Sequence, residues 1–404
     1  MKIRLAWAAV LFGLSMVYAI YSQLAVRANS ELREVLTRHI TMVLRARTDA
    51  LLTGDDEAIS RFYDTETRYG RWALDHETRR IKYVKAWSAG RGIRFTGAES
   101  NFRIQGVESR GDSIWVYLTQ DIAFRYSYGD NPCDDMANVA PNGPVPVADG
   151  FKIGTRHTME FVNKNGTWLI KRDWYTDPLD EDTLVPEVRP ADRPDSPSPP
   201  GPGPKLAPPL SSNPPSQGKN PTTNLIGGGK QPPAGLPSGK YNREAAVAYA
   251  DKYWHEYNPK YKDCTGNGGD CTNFVSQVLG DPEAGGLSAD WTWYYRCSPL
   301  SGGGSKAWVQ TESFASYLLY SGRARRVARG GWHDVIQQGA LEELQKGDLI
   351  GYEEKGRIEH FAIVTGRDSR GYVLVNSHTA DRYHVPWDLG WDRQTIFWLL
   401  HITE

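Results

Sequence analysis

The hydrophobic positions in the last 160 or so residues change from helical to strand spacing along the chain. Apolar and aromatic side chains recur on one helical face from 246 to 257, behind Asn242, a favoured N-cap residue. Further helices are predicted from Cys271, over Lys306 to Tyr320, and near Leu341 to Leu344. Strands are predicted at Leu349 to Tyr352, Glu359 to Thr365, Tyr372 to His378 and Thr395 to Ile402. Helices followed by antiparallel strands predict an α+β domain over residues 241 to 404.

A separate α+β domain is predicted over residues 29 to 185. Helical spacing over 32 to 44 and a second helix near Asp55 to Tyr69 precede strands that include Ile114 to Leu118. Two more strands, Arg156 to Val162 and Trp168 to Trp174, flank an Asn163-Lys164-Asn165-Gly166 turn, which predicts a hairpin. This order resembles the cone-shaped NTF2-like arrangement. His76 and His157 are isolated in the pattern and are interpreted as structural histidines.

A proline-rich linker, residues 186 to 240, separates the two domains. It carries 16 of the chain's 25 prolines together with Gly, Ser and Asn. Such a segment cannot bury enough apolar surface to offset the entropy lost on ordering, so we expect disorder and an extended spacer.

The first 28 residues predict a membrane-targeting segment. Leu5 to Val26 carry no charge and follow Lys2 and Arg4. A signal peptide and a transmembrane anchor both fit; the length, close to the roughly 20 residues of a spanning helix, favours an uncleaved anchor. The protein is therefore expected outside the cytoplasm, secreted or held to the membrane of a bacterial cell envelope.

Charge and cysteine content exclude several classes of protein. A net charge of −1, from 47 basic and 48 acidic residues, gives no case for a nucleic-acid partner. Four cysteines are too few for a disulfide framework, although a Cys264–Cys297 bridge stays open. The spacing of Cys and His residues shows none of the short-range ligand pairs of structural zinc, and no cofactor or metal is predicted.

The strongest chemical signal is the run GGDCTNFVSQ, from Gly268 to Gln277. It predicts a tight glycine turn that places Cys271 on the first turn of a helix, with Asp270 as its N-cap. The positive end of the helix dipole there would stabilise a thiolate, the reactive form of cysteine, and free backbone N–H groups could bind an oxyanion. An inert core cysteine is the alternative interpretation.

A nucleophilic thiol needs a base, and His360 at the start of an apolar strand is the candidate. In the next predicted strand Asn376 and His378 share a face, so either could hold the imidazole in the tautomer that accepts the thiol proton. Alternation does not decide between the two. Asn258 and Gln277 are candidate oxyanion donors, with packing the favoured interpretation for Gln277.

These residues together resemble the bacterial family known as the putative amidase domain, itself similar to papain-like and CHAP cell-wall hydrolases. The resemblance rests on YNREAA from Tyr241, YNP from Tyr257, the Cys271 run, GDLI from Gly347, His360, and Ser377-His378-Thr379. It implies a papain-like cysteine amidase or peptidase with Cys271 as nucleophile and His360 as base. The Ser-His-Thr match favours His378 as the orienting residue.

Export makes peptidoglycan, or another peptide or amide, the expected substrate. Aromatic residues between Trp291 and Trp308 could stack on its sugar rings, although core packing is the favoured interpretation. The alternative function is a tethered, non-catalytic binding module of the same fold. That alternative predicts a buried or unpaired Cys271.

Overall fold

The computed structural model describes residues 31–128, 149–179, 240–265, 269–296 and 303–403. The expected targeting segment, almost all of the proline-rich linker, Cys133 and Cys297 lie outside these ranges. The described part is α+β and is built on a large antiparallel sheet of ten strands.

The N-terminal part begins with helix α1, described over 31–53, and a 3₁₀ turn at Glu57–Phe62. Helix α2, Arg68–Arg91, follows and ends on Gly92 in the left-handed conformation. Four strands complete it: β1 Ile93–Arg110, β2 Ser113–Tyr128, β3 Asp149–Lys164 and β4 Thr167–Trp174. They pair in the order β1-β2-β3-β4, and the helices cover one face of this curved sheet around a buried apolar core.

The C-terminal part opens with helices α3 Arg243–Tyr253, α4 Cys271–Gly280, α5 Lys306–Val309 and α6 Thr311–Tyr320. A short ribbon, β5 Tyr295–Arg296 with β6 Gly303–Gly304, lies between α4 and α5. After β7 Ala324–Gly330 come α7 Trp332–Gln337 and a 3₁₀ turn at Ala340–Glu343. The remaining strands are β8 Leu349–Glu354, β9 Arg357–Arg367, β10 Val373–Ser377, β11 Asp381–Pro386 and β12 Ile396–Ile402.

The two parts share one sheet, with strand order β1-β2-β3-β11-β10-β9-β8-β12-β7. The junction is the antiparallel pair β3 and β11, in which Gly154 lies opposite Asp381 and Ile153 opposite Arg382. Val385 and Leu389, which follow in the chain, are buried in the apolar core of the N-terminal part. The residues around β11 therefore belong structurally to both halves.

Two apolar layers sandwich the C-terminal strands. On one face α3, α4 and α6 pack through Tyr249, Phe274 and Phe314 against Phe361 of β9. On the other face a second cluster joins the α7 residue Trp332 with Tyr352, Trp387, Trp391 and Phe397. Because successive strand residues point to opposite faces, each strand contributes side chains to both apolar layers.

Several predicted elements are confirmed and several are wrong. Asn242 does cap α3, its side chain accepting from the Ala245 N–H, and the 163–166 turn has φ of 54° and 86° at Asn165 and Gly166, as a type I′ hairpin turn requires. The predicted helix near 55 to 69 is instead a 3₁₀ turn followed by the much longer α2. The predicted 306 to 320 helix is broken at Gln310, whose extended backbone separates α5 from α6.

None of the helices in the described ranges combines the length and apolar character that a bilayer crossing needs.

Candidate active site

The turn before α4 places Cys271 as the first residue of that helix. Gly269 has φ of +112°, a conformation that residues with a side chain rarely adopt, and this explains the glycine in the motif. The Asp270 N–H that follows donates to Thr379 Oγ1 at 2.6 Å. Thr379 itself has φ of +78°, a costly conformation for a β-branched residue. The turn before Cys271 is therefore held against a strained turn after β10.

Asp270 occupies the N-cap position of α4, as predicted, but its side chain makes no capping hydrogen bond. Its carboxylate is buried and accepts from the Cys264 N–H at 2.8 Å, from Asn273 Nδ2 at 2.8 Å and from His378 Nδ1 at 2.7 Å. The acidic group ties three segments together beneath the thiol.

The Cys271 thiol is 6% exposed and lies against the backbone of β9. Its Sγ is 3.9 Å from the carbonyl oxygen of Glu359 and 3.8 Å from Thr272 Oγ1. Burial raises the pKa of the thiol above its ordinary value; hydrogen bonds from Phe361 and Thr272 oppose the rise without cancelling it. Burial thus works against the thiolate that the position at the start of α4 was expected to stabilise.

His360 lies on β9 directly between the two residues whose backbone contacts the thiol. Its ring packs against Tyr352 and Trp391, with centroids 5.7 and 5.5 Å away, and its Nε2 has no hydrogen-bond partner among the described residues. Burial lowers the pKa of His360 well below 6.5, and the nearby Arg382 and His378 lower it further. At neutral pH the imidazole is uncharged and able to accept a proton.

Cys271 and His360 are neighbours across one strand, but they do not form a hydrogen-bonded pair. Phe361 faces the α4 layer, whereas His360 faces the opposite layer with Tyr352. The hydrogen bonds of Sγ run to Thr272 and to the Glu359 carbonyl, not to the imidazole. A direct proton transfer needs a rearrangement of one of the two side chains.

Among the described residues, the two predicted orienting residues hydrogen-bond to groups other than His360. Both ring nitrogens of His378 are engaged, Nδ1 with Asp270 and Nε2 with the Tyr253 carbonyl at 2.6 Å. Its ring is stacked between Tyr257 and Phe274, at 3.7 and 3.8 Å. Asn376 is also committed: Nδ2 donates to Asp251 at 2.9 Å and Oδ1 accepts the His384 N–H at 2.7 Å.

The predicted oxyanion donors, Asn258 and Gln277, likewise take part in hydrogen bonds with other residues. Asn258 Nδ2 donates to the Tyr249 hydroxyl at 2.8 Å, and that hydroxyl donates to Gln277 Oε1 at 2.9 Å. These buried hydrogen bonds give both side chains a structural role. That role is the favoured interpretation of the sequence for Gln277 but not for Asn258. Of the aromatic residues after Gly285, Trp293 and Trp308 are core residues, whereas Trp291 is exposed.

A cavity of about 340 Å³ opens beside His360. Glu359, Arg382, Trp391 and Thr379 line it from the C-terminal part, and Thr176 and Asp177 line it from the N-terminal part. Arg382 is buried and donates to the Pro178 carbonyl at 2.9 Å, bridging the halves. Sequence reasoning missed Arg382, Thr176 and Asp177. Only the match at Ser377-His378-Thr379, a few residues before Arg382, pointed near them.

The described residues show neither a metal site nor a disulfide bond. They hold no group of three or more His, Cys, Asp or Glu side chains that could ligate a metal ion. Cys264 is a free thiol near the Lys262 carbonyl; Cys297, its partner in the bridge that the sequence left open, lies outside the described residues.

Comparison with known proteins places the amidase resemblance on residues 240–400, which match the family model described as "Putative amidase domain". A Bacillus subtilis protein named "Uncharacterized protein YhbB" is 35% identical over 147 residues, which are 35% of this chain and 42% of that protein. The match thus spans less than half of the relative.

Two solved structures show a low level of similarity to part of this chain. The intermembrane space region of the chloroplast protein ARC6 is 16% identical with a TM-score of 0.24, over 35% of this chain and 94% of that one. A putative scytalone dehydratase from Novosphingobium aromaticivorans is 12% identical with a TM-score of 0.23, over 40% of this chain and 96% of that one.

Proposed function

We propose that the chain is a cysteine-dependent amidase or peptidase. The family match over 240–400 indicates a hydrolase. The observation that carries the cysteine mechanism is the position of Cys271. It is the first residue of α4, and its thiol lies against the backbone of β9 on either side of His360, the histidine that lines the cavity.

The lowered pKa of His360 and the raised pKa of Cys271 favour general-base catalysis over a preformed ion pair. In this mechanism Sγ attacks the amide carbonyl carbon while its proton passes to the imidazole. The imidazolium then protonates the leaving amine as the C–N bond breaks. Water activated by the same imidazole hydrolyses the thioester and releases the acid. Substrate binding would have to reorient the imidazole or the thiol so that the two meet.

The finer identity of the enzyme is part of the proposal. We infer a papain-like catalytic domain, with an N-terminal domain of NTF2-like type, acting outside the cytoplasm on peptide or amide bonds of peptidoglycan. The charge-free segment Leu5 to Val26 supports export and contact with a membrane. Asn376 and His378 stay candidates for orienting His360 only if the site rearranges.

A binding module without catalysis is the second candidate, and one specific observation favours it. Cys271 is buried and has no hydrogen bond to His360, as that alternative predicts. Such a module would hold the same substrate without cleaving it.

One experiment separates the two functions. Purified peptidoglycan is incubated with the full chain, with Cys271→Ala and with Cys264→Ala as a matched cysteine control, and released fragments are identified by mass spectrometry. New amine ends with the parent and the control, but not with Cys271→Ala, would establish the enzyme and name the bond. Equal amounts from all three proteins, or none from any, would reject cysteine-dependent wall hydrolysis.

A further inference from the structure

A larger cavity, of about 610 Å³, lies on the N-terminal part between α2 and the segment that continues β4. Tyr69, Trp72 and His76 line it from α2, and residues 172–177 line it from β4 onward. Its size is within the range of small-molecule binding sites.

Exposed aromatic side chains surround this cavity. Tyr69 is 40% exposed, Trp72 51% and Trp174 55%. Only seven large hydrophobic side chains are exposed in the described ranges, and three of them lie at this one cavity. They form a cluster and are not isolated surface residues. Guanidinium groups hold the rings: Arg68 lies 4.1 Å from the Trp72 centroid and Arg172 3.9 Å from that of Tyr69.

The floor of the cavity is polar, but its charges are already paired. Asp177 lies 2.9 Å from Arg80 Nε and 3.2 Å from His76 Nε2. Asp173 accepts from Arg47 at 2.8 Å, and its other partner is His157 at 3.0 Å, a histidine satisfied on both nitrogens as predicted. Since the carboxylates are neutralised, the floor offers hydrogen bonds without a strong preference for an ion.

Aromatic walls with a polar, charge-balanced floor suit a ligand that has flat apolar faces and a rim of hydroxyl groups. A sugar ring has that form: its C–H face can stack on an indole, and its hydroxyls donate and accept hydrogen bonds.

The larger cavity adjoins the one beside His360. Thr176 and Asp177 line both, and Thr176 is exposed. A ligand seated on Trp72 or Trp174 and extending past Thr176 would reach the cavity that His360 lines.

We propose that the aromatic cavity is a saccharide subsite, which binds the glycan that carries the scissile amide. The assignment to a glycan substrate rests on the proposed function. Saccharide binding itself does not depend on catalysis.

The test is calorimetric titration of the full chain with a β-1,4-linked tetramer of N-acetylglucosamine. Trp72→Ala and Trp174→Ala should each raise the Kd by about fivefold, the loss expected for one aromatic stacking contact. Tyr320→Ala, which removes another exposed aromatic side chain outside the cavity, is the matched control and should leave the Kd unchanged. Thermal unfolding of each variant checks that the fold is kept.

The outcomes keep the two proposals distinct. Cys271→Ala should bind the tetramer like the parent; if it does and no amide is cleaved by any protein, the subsite stands and the enzyme proposal fails. Absence of tetramer binding at millimolar concentration, or equal Kd values for all variants, overturns the subsite. Binding of a short peptide that depends on Trp72, without tetramer binding, would also overturn it and assign the cavity to peptide.

Discussion

Asp270 and His378 form a buried hydrogen bond of 2.7 Å that joins the turn before α4 to the turn after β10. The other ring nitrogen of His378 faces the Tyr253 carbonyl. The pair thus acts as a brace behind the thiol, a role different from the orienting one expected of His378.

Replacing this brace should destabilise the protein. His378→Ala removes the partner of a buried carboxylate and the ring between Tyr257 and Phe274, and we expect a loss of about 3 kcal/mol in the free energy of unfolding. Urea denaturation measures it. Lys260→Ala, which breaks the exposed pair with Glu283, is the control and should cost less than about 1 kcal/mol. Equal losses in the two variants would show that the pair is not a brace.

Alkylation of Cys271 should depend strongly on pH. Because burial raises the pKa of this thiol, little thiolate is present at pH 7, and the rate with iodoacetamide should rise continuously towards and beyond pH 9. Peptide mass spectrometry after timed quenching follows this residue separately from the other cysteines. A rate that is already maximal and constant between about pH 6 and 8 would mean that a thiolate–imidazolium pair exists before substrate binds.

His360 should make the protein less stable in acid. Its pKa is lowered on folding, so the unfolded chain binds a proton near pH 6.5 that the folded chain does not. The stability is complete above pH 6.5 and is lost as pH falls below it, by up to about 1.4 kcal/mol per pH unit. Denaturation at pH 7 and pH 5 should show a smaller difference for His360→Gln than for the parent. The same difference in both proteins would place the acid sensitivity elsewhere.

Among the residues that join the two halves, Asp388 should be the one whose substitution lowers the stability of the protein most. Its carboxylate accepts from Trp87 and Arg91 of α2 at 3.3 and 2.9 Å, and from Trp332 and Tyr372 at 2.8 and 2.9 Å. Asp388→Asn leaves the buried Arg91 charge uncompensated, at a cost of about 3–5 kcal/mol.

Calorimetry measures the cost at Asp388, with Glu99→Gln, which disrupts an exposed pair with Arg125, as the control. We expect one cooperative transition that shifts only for Asp388→Asn. Two separate transitions in the parent protein would contradict the view that the halves are coupled.

Local signals made the Cys271 turn, the Asn242 cap and the 163–166 hairpin predictable, because each depends on a few adjacent residues. Helix α2 was not predicted because its buried face includes Glu77 and Arg80, whose ion-pair partners Arg47 and Asp177 come from distant segments. The orientation of His360 was not predictable either. A bulge opposite Tyr352 and Glu353 shifts the alternation of β9 at Glu359.

The cavity residues Arg382, Thr176 and Asp177 could not be found from sequence because they meet only through the packing of the two halves. Strand β11 was missed for a related reason: its polar residues are buried at the junction with β3, so it lacks the alternation of a half-exposed strand.

The pairing of β3 with β11 also limits how the chain can be divided. In a protein shortened to residues 240–404, β11 would lose the partner that covers its outer side and would present unpaired N–H and C=O groups to solvent. Such an open strand edge favours self-association. Aggregation of the isolated C-terminal half, rather than failure to form the turn around Cys271, is therefore the expected consequence of separating it from the N-terminal half.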